Sequence, residues 1–289
     1  MIVVTLAIFH GFSAFKQYCY TFDIPNSELG PEFDPTLDFE FCNIFDETLR
    51  YSILNPAQKL FPIIDKSKYI FCMDCARKNI WRRYFYPEYK LSRDLRSTDK
   101  NKFNLSRMFK YAYDILLPAI CEDFNATTVM CGCAEGDDVI ATLTNHLLDT
   151  TKDDVVIISC DKDMVQLHND RVTIITVEGN IREPKAELEK TLKIKINDTI
   201  TSNEFLLFKI LIGDSADNIP NVKPGLGPKK AFALLKDKDK LKNLLKEDIT
   251  ITDNFRRNKR LIAMSEIPTE VNNLILEEYQ NAINKNNII

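Results

Sequence analysis

Short apolar runs alternate with segments of helical periodicity over the first 180 residues of the chain. This alternation favours a mostly parallel sheet with helices packed on its faces, because parallel neighbours need a long crossover between them. We therefore predict an α/β fold with a central, mostly parallel sheet. The predicted strands are residues 2–9, 69–73, 127–131, 155–159 and 172–177, and the predicted helices between them are 38–53, 103–120, 134–149 and 161–168.

The pattern changes near residue 185. Helical signals predominate at 205–212, 228–235, 240–246, 254–264 and 270–283, with little strand signal. We predict an α/β core at residues 1–185 and a smaller helical part at residues 186–289. The sequence contains no internal repeat and no low-complexity segment.

The apolar run at residues 2–9 has no basic flank, and polar residues follow it at once, so we interpret it as a buried strand. No stretch approaches the roughly 20 apolar residues of a membrane span. We expect no membrane attachment and a cytoplasmic location. Most of the eight cysteines lie inside apolar runs, which favours free thiols in a reducing compartment. The pairs Cys72/Cys75 and Cys131/Cys133 leave open a zinc-binding interaction module.

The formal net charge of −4 argues by itself against a nucleic-acid partner. However, the charge is segregated along the chain. Residues 77–110 contain eleven basic and three acidic residues, 223–246 contain eight lysines against two acids, and 23–47 contain eight acids and no base. This segregation indicates a polyanion-binding surface beside acidic sites, although a charge run taken singly is usually a solvated helix face.

Carboxylates recur just after the predicted strands and at the end of the predicted helix 205–212. The carboxyl ends of parallel strands meet at one edge of a sheet, where open sheets bind ligands. Taken one at a time, Glu135, Asp137 and Asp161 are also typical of helix caps. The whole set is Asp74, Glu135, Asp137, Asp138, Asp161, Asp163, Asp214 and Asp217.

These eight carboxylates would repel one another in a single cleft unless divalent cations neutralised them. Ligand sets made only of oxygen suit Mg²⁺ or Mn²⁺. Two such ions about 4 Å apart serve in-line displacement at a phosphodiester, where one activates water and the other stabilises the leaving oxygen. An acidic set beside a basic segment therefore predicts a nuclease.

Three blocks of sequence carry a family resemblance. CAEGDDVIATL (133–143), SCDKDMVQL (159–167) and LIGDSADNIPNVKPGLGPKKAFALL (211–235) resemble blocks of the 5′ to 3′ exonuclease and flap endonuclease family. Residues 69–94 resemble its strand, metal-binding aspartate and basic arch, and residues 161–181 and 255–279 are most similar to the bacteriophage ribonuclease H branch, which removes RNA primers and flaps. The resemblance covers nearly the whole chain.

The resemblance implies a role for each matching residue. The implied ligands of the first metal ion are Asp74, Glu135, Asp137 and Asp138, and those of the second are Asp161, Asp163, Asp214 and Asp217. Lys90 and Arg82 match basic residues that contact the scissile phosphate, and catalysis is expected to depend most on them and on Asp137 and Asp161. The implied nucleic-acid contacts are Arg82, Arg83, Lys90, Arg93, Arg96, Gly225, Gly227, Lys229 and Lys230.

The fold implied by the resemblance is PIN-like, with a helical arch at about residues 88–112 and a helix-three-turn-helix at about 205–236. Glycines in that turn and the amides of the following helix would meet duplex phosphates, and in relatives the turn carbonyls hold K⁺. The implied partners are DNA with a 5′ flap, nick or RNA primer, together with a replication polymerase or single-strand-binding protein, and we expect a monomer. Near the base of the arch lie four aromatic residues, Tyr84, Phe85, Tyr86 and Tyr89. Two interpretations stay open for them: they stack on bases of the substrate, or they pack within the protein.

One position departs from the family pattern, because His10 stands where the first strand normally ends in a metal-site aspartate. Imidazole is a poor Mg²⁺ ligand and an acceptable Mn²⁺ ligand. Three interpretations stay open: an active enzyme with one carboxylate fewer, an enzyme retuned toward Mn²⁺, and a catalytically weak protein that binds branched DNA.

Overall fold

The computed structural model describes residues 2–5, 9–24, 32–60, 68–97 and 106–286. Within these ranges six strands form one sheet in the order β3-β2-β1-β4-β5-β6, in which only β6 runs antiparallel to its neighbour. The predicted central, mostly parallel sheet is confirmed. The strands are β1 (Ile2–Thr5), β2 (Tyr69–Met73), β3 (Thr127–Met130), β4 (Val155–Ile158), β5 (Val172–Ile175) and β6 (Ile181–Arg182).

The helices cover the sheet and continue beyond it. They are α1 (Phe9–Thr21), α2 (Phe39–Leu60), α3 (Trp81–Phe85), α4 (Leu91–Ser97), α5 (Ser106–Tyr111), α6 (Leu117–Phe124), α7 (Gly136–Thr150), α8 (Pro184–Leu192), α9 (Ser202–Ile212), α10 (Pro228–Lys236), α11 (Lys238–Glu247), α12 (Ile249–Ile262) and α13 (Thr269–Asn286). A π-helical segment, Ala112–Leu116, joins α5 to α6. No helix in the described ranges has the length and apolar character needed to cross a membrane.

The side chains of β2 divide the core into two layers. Tyr69 and Phe71 pack in one cluster with α1, α2 and α6, while Ile70 and Cys72 pack in the other with α7. Successive side chains of a strand point to opposite faces of the sheet, so a strand covered on both faces is apolar throughout. Helices therefore shield both faces, and the loops at the carboxyl edge remain as the open side of the sheet.

The last helix returns to the sheet. Val271, Ile275 and Tyr279 of α13 pack in the cluster that contains α7, whereas Phe205 and Phe208 of α9 anchor a separate cluster formed by residues from α8, α10 and α12. A helix from the later part of the chain thus completes the core of the earlier part. The division near residue 185 stays a prediction.

The start of the chain differs from the predicted pattern. β1 ends at Thr5 and α1 begins at Phe9, so the apolar run at 2–9 is not a single strand. A continuous apolar run cannot distinguish strand from helix by periodicity. The pattern also fails to predict α1, α8 and β6. Of the predicted arch, residues 98–105 lie outside the described ranges.

Candidate active site

An acidic residue follows each of three parallel strands. Asp74 comes directly after β2, Glu135 lies between β3 and α7, and Asp161 begins the 3₁₀ turn Lys162–Leu167 after β4. β2 and β4 flank β1 in the sheet, and β3 lies next to β2. The three segments therefore meet at the carboxyl edge. The backbone N–H of Gly136 donates to Asp74 Oδ1 at 2.7 Å, which joins two of them directly.

Asp137 lies at the centre of the predicted acidic set. Burial raises the pKa of its carboxyl well above the usual range, the nearby carboxylates of Asp161, Glu135 and Asp74 raise it further, and Lys90 opposes the rise. Among the described residues no hydrogen bond reaches the Asp137 carboxylate. A proton or a bound cation would each relieve this repulsion, and a divalent cation is one group that suits these surroundings.

Lys90 is the ammonium nearest this set. Its Nζ forms a salt bridge with Glu135 Oε1 and lies 3.8 Å from Asp217 Oδ2. The pKa of Lys90 is raised, because the two carboxylates outweigh the desolvation that lowers it. Its backbone has a positive φ of 56° and donates to the Asp217 carbonyl at 3.0 Å. The local backbone therefore holds Lys90 at the junction of the acidic loops.

Tyr89 is a packing residue in this structure. Its side chain is buried, and its hydroxyl donates to Glu135 Oε2 at 2.9 Å. Burial would raise the pKa of Glu135, but Lys90 and Arg82 hold it below its usual range. Glu135 is therefore an ionised carboxylate whose two oxygens are already shared among three side chains.

Arg82 and Asp138 form a buried pair behind this cluster. Arg82 donates from Nη1 and Nη2 to the two oxygens of Asp138 at 2.8 and 2.7 Å, and from Nε to the Leu261 carbonyl at 2.8 Å. Asp138 also accepts from the Trp81 indole at 3.0 Å and from the backbone of Glu135 at 3.1 Å. Arg82 is 5% exposed and Asp138 is fully buried. Both residues are saturated by protein groups, so contact with a phosphate or a metal ion would require these bonds to open.

The carboxylates assigned to the second metal ion, here called the second acidic group (Asp161, Asp163, Asp214 and Asp217), include two that bind a lysine that the sequence does not predict. Lys209 of α9 is 3% exposed, and its Nζ lies 3.1 Å from Asp163 Oδ1 and 2.8 Å from Asp214 Oδ2. Burial raises the pKa of Asp163 to about 6, although Lys209 lowers it. For Asp214, Lys209 outweighs desolvation and lowers the pKa. The only sequence signal is a lysine inside the apolar run LLFKILI.

Most of the described cations of the basic segment 77–110 are paired. Arg77 and Arg83 both bridge to Asp94, and Arg93 pairs with Asp217. The side chain of Arg96 lies outside the described set. The positive charge of this segment is therefore partly neutralised within the fold. A polyanion could bind only to cations that are not in these pairs, or to paired cations whose salt bridges open.

The predicted helix-three-turn-helix corresponds to α9, the following turn and α10. Gly213 has a φ of 68°, and a Cβ there would lie 2.3 Å from the Ile219 carbonyl oxygen. Gly225 also has a positive φ, of 75°, while a Cβ at Gly225 or Gly227 would meet open space. Pro228 begins α10, and the adjacent Lys229 and Lys230 are exposed. The turn thus presents backbone and two ammonium groups to solvent.

The donor chemistry fits a hard divalent cation, because the converging groups are carboxylates and the ionised form of Asp137 is destabilised by burial and by its neighbours. The carboxylates are not assembled as ligands, since no three His, Cys, Asp or Glu side chains in the described ranges form a metal-binding group. Lys90 and Lys209 provide the positive charge instead. The same observation gives no support to the zinc-module interpretation, and all eight cysteines are free thiols.

His10 lies in the first turn of α1, but its side chain is outside the described set. The relation of His10 to the carboxylates therefore stays a prediction.

Residues 47–196 match the family model of the 5′-3′ exonuclease N-terminal, resolvase-like domain. A 5′-3′ exonuclease of Buchnera aphidicola is 32% identical over 211 residues, which cover 71% of this chain and 67% of the relative. The chain belongs to the 5′-3′ exonuclease family. These nucleases include the corresponding domain of DNA polymerase I, and the Thermus thermophilus polymerase is 38% identical over 112 residues, which are 39% of this chain and 12% of that protein.

Solved structures show the same fold. Bacteriophage T5 5′-exonuclease with bound zinc has a TM-score of 0.64 at 17% identity, covering 98% of both chains. The T5 flap endonuclease in complex with DNA and metal ions has a TM-score of 0.62 at 20% identity, covering 99% of this chain and 95% of that one. The predicted PIN-like α/β fold is confirmed by these likenesses and by the resolvase-like family model.

Proposed function

We propose that this chain is a metal-dependent 5′ nuclease that hydrolyses phosphodiester bonds at 5′ ends or flaps of branched DNA or RNA–DNA and leaves 5′-phosphate ends. The observation that supports this most is Asp137, whose ionised carboxyl is destabilised by burial and by Asp161, Glu135 and Asp74, and accepts no hydrogen bond within the described residues. Arrangements of this kind are neutralised by divalent cations. Membership of the 5′-3′ exonuclease family supplies the reaction class.

Two Mg²⁺ ions, or Mn²⁺ ions, bound by these carboxylates would activate water and stabilise the leaving oxygen. Asp74, Asp137 and Asp161 are the most available ligands, because Lys90 does not pair with any of the three. Lys90 would exchange its salt bridges to Glu135 and Asp217 for the phosphate of the substrate. As a compact ammonium it would stabilise negative charge on a nonbridging oxygen.

Arg82 and Asp138 take a supporting role in this proposal. The fork of Arg82 joins α3 to the start of α7 and, through the Leu261 carbonyl, to the end of α12. The pair thereby fixes Glu135, whose backbone N–H is bound by Asp138. This role replaces the ligand and phosphate contacts that the resemblance implies for these two residues.

The substrate duplex would lie on the turn between α9 and α10, where Gly225, Gly227, Lys229 and Lys230 face solvent. Backbone amides at the start of α10 suit a phosphate, and the carbonyls of the turn suit K⁺. The 5′ strand would pass the arch formed by α4 and α5. The T5 relative is described in complex with DNA and metal ions. A polymerase or single-strand-binding protein as partner, action as a monomer and a cytoplasmic location belong to the same proposal.

A catalytically weak protein that binds branched DNA is the second candidate. It is favoured by His10 at the family's first aspartate position and by the ammonium groups that occupy Glu135, Asp217, Asp163 and Asp214. In this case the structure would bind DNA without assembling the metal site.

A cleavage assay on a 5′-flap substrate with Mg²⁺, Mn²⁺ or EDTA separates the two. The nuclease proposal requires cleavage with a divalent ion and none in EDTA. Metal-induced thermal stabilisation, measured without DNA, provides a second readout of ion binding. Tight flap binding without cleavage or metal-induced stabilisation would support the binding protein instead.

A further inference from the structure

Helix α3 presents two aromatic rings to solvent. Trp81 and Arg82 turn inward and are buried, whereas Tyr84 is 82% exposed and Phe85 is 47% exposed. Tyr89, which follows the helix, is buried with Glu135. Packing therefore accounts for the inward residues and leaves Tyr84 and Phe85 unexplained.

Helix α12 places arginines beside these rings. The guanidinium carbon of Arg260 lies 5.4 Å from the centre of the Phe85 ring, and that of Arg257 lies 5.6 Å from the Tyr86 ring. Within the described residues neither arginine pairs with a carboxylate. The arginines of the nearby basic segment, Arg77 and Arg83, are neutralised by Asp94. Arg260 thus keeps its charge available to an anion, whereas the Arg257 guanidinium already donates to Asn254 and Asn258.

The surface is fixed relative to the acidic cluster. Arg82 of α3 donates to the carbonyl of Leu261, the residue next to Arg260, at 2.8 Å, while its guanidinium binds Asp138. Tyr84 and Phe85 follow Arg82 within one helical turn. The bonds of Arg82 therefore connect the segments that carry the rings and Arg260 to Asp138, at the start of α7 beside the proposed cleavage site.

We propose that Tyr84, Phe85 and Arg260, here called the α3–α12 patch, bind unpaired nucleotides of the substrate outside the cleft. A base stacks on the exposed rings, and its phosphate pairs with Arg260. Duplex DNA already stacks its base faces internally, so the rings discriminate single-stranded from paired segments. This inference rests on the proposed nuclease function and assigns a site for the flap strand.

The test measures binding of the full chain in EDTA, which prevents turnover, by fluorescence anisotropy. The three probes are a duplex with a thymidine 5′ flap, the same duplex with an abasic flap, and a flush duplex. The variants are the double variant Tyr84→Ala/Phe85→Ala and Arg260→Gln. The controls are Tyr51→Ala, an aromatic that is 65% exposed on α2, and Lys152→Gln, an exposed cation before β4.

The double variant should raise the Kd for the thymidine flap about five-fold or more, and the Kd for the other two probes less than about two-fold. Arg260→Gln should weaken the binding of both flap probes. The slope of log Kd against log salt concentration should fall by the amount expected for about one phosphate contact. Both controls should match wild type. Thermal melting confirms that each variant is folded.

Equal weakening on all three probes would overturn the stacking assignment. An unchanged Kd on every probe would overturn it as well and would point to a protein partner for these rings. Failure of the proposed nuclease function is distinguishable, because the wild-type chain would then fail to cleave the flap probe with Mg²⁺ or Mn²⁺, whereas failure of the stacking assignment appears only in how the variants bind the three probes in EDTA.

Discussion

Lys209 Nζ lies 3.1 Å from Asp163 Oδ1 in the interior of the site. The same ammonium binds Asp214 at 2.8 Å, so one buried lysine neutralises two of the carboxylates proposed for the second metal ion. On the proposed two-metal assignment, a divalent cation and this ammonium would compete for the same oxygens. Lys209 would then weaken the attraction of Asp163 and Asp214 for the second metal ion.

Replacing Lys209 by Met should reduce the free energy of unfolding by about 3 kcal/mol at neutral pH, because it leaves the two partly buried carboxylates of Asp163 and Asp214 without their ammonium partner. The pKa of Asp163, already raised to about 6, should rise further. A raised carboxyl pKa favours the folded state at low pH, and this advantage is lost as the pH rises through the folded pKa. The loss in the variant should thus be larger at about pH 8 than at about pH 5, measured by chemical denaturation.

Lys209→Arg is the matched control, since it keeps the charge, and it should show a smaller loss. An equal loss of stability at both pH values in Lys209→Met would contradict the electrostatic explanation.

Arg82→Leu should destabilise the fold by about 3–5 kcal/mol, because Asp138 would stay buried without its bidentate partner. Arg77→Leu removes a cation from the same segment, but its pair with Asp94 is 42% and 34% exposed. The change at Arg77 should cost less than about 1 kcal/mol. Urea denaturation of both variants measures the free energy of unfolding. Equal losses in the two variants would show that the bonds of the Arg82 guanidinium to Asp138 do not stabilise the site.

Gly213→Ala tests the turn that carries the proposed duplex contact. The positive φ and the 2.3 Å approach to the Ile219 carbonyl leave no room for a methyl group. We expect a loss of more than about 2 kcal/mol in stability. Gly227→Ala, where a Cβ would meet open space, should cost less than about 1 kcal/mol. Thermal denaturation and duplex binding of the two variants distinguish a structural glycine from one that only faces DNA.

His10→Asp should raise Mg²⁺-dependent cleavage, because it would introduce the carboxylate that the sequence resemblance implies at this position. The ratio of Mg²⁺- to Mn²⁺-supported rates should increase as well. His10→Asn controls for the loss of imidazole without adding charge. No change, or a fall, in a folded His10→Asp variant would show that this position does not reach the metal ions.

The sequence predicts the parts of the site that depend on sheet topology. Asp74 and Asp161 follow strands that the apolar runs identify, and parallel strands bring their carboxyl ends to one edge. It does not predict the pairs that cross the fold. Arg82 reaches Asp138 and Leu261 through packing of three helices, and Lys209 lies in an apolar helix where charge has no periodic signal. Such contacts depend on side-chain geometry that neither spacing nor composition encodes.

Asp137→Asn should abolish cleavage and leave duplex binding within about two-fold of wild type, because it removes a proposed metal ligand that is not part of the α9–α10 turn. Its effect on stability should have the opposite sign from a usual core substitution. The raised pKa of Asp137 means that its charge opposes folding above the ordinary carboxyl range, so the Asn variant should be at least as stable as wild type in EDTA at neutral pH. The increase in Tm caused by Mg²⁺ should shrink in the variant. A lower Tm in EDTA with an unchanged Mg²⁺ response would contradict both the repulsion and the ligand assignment.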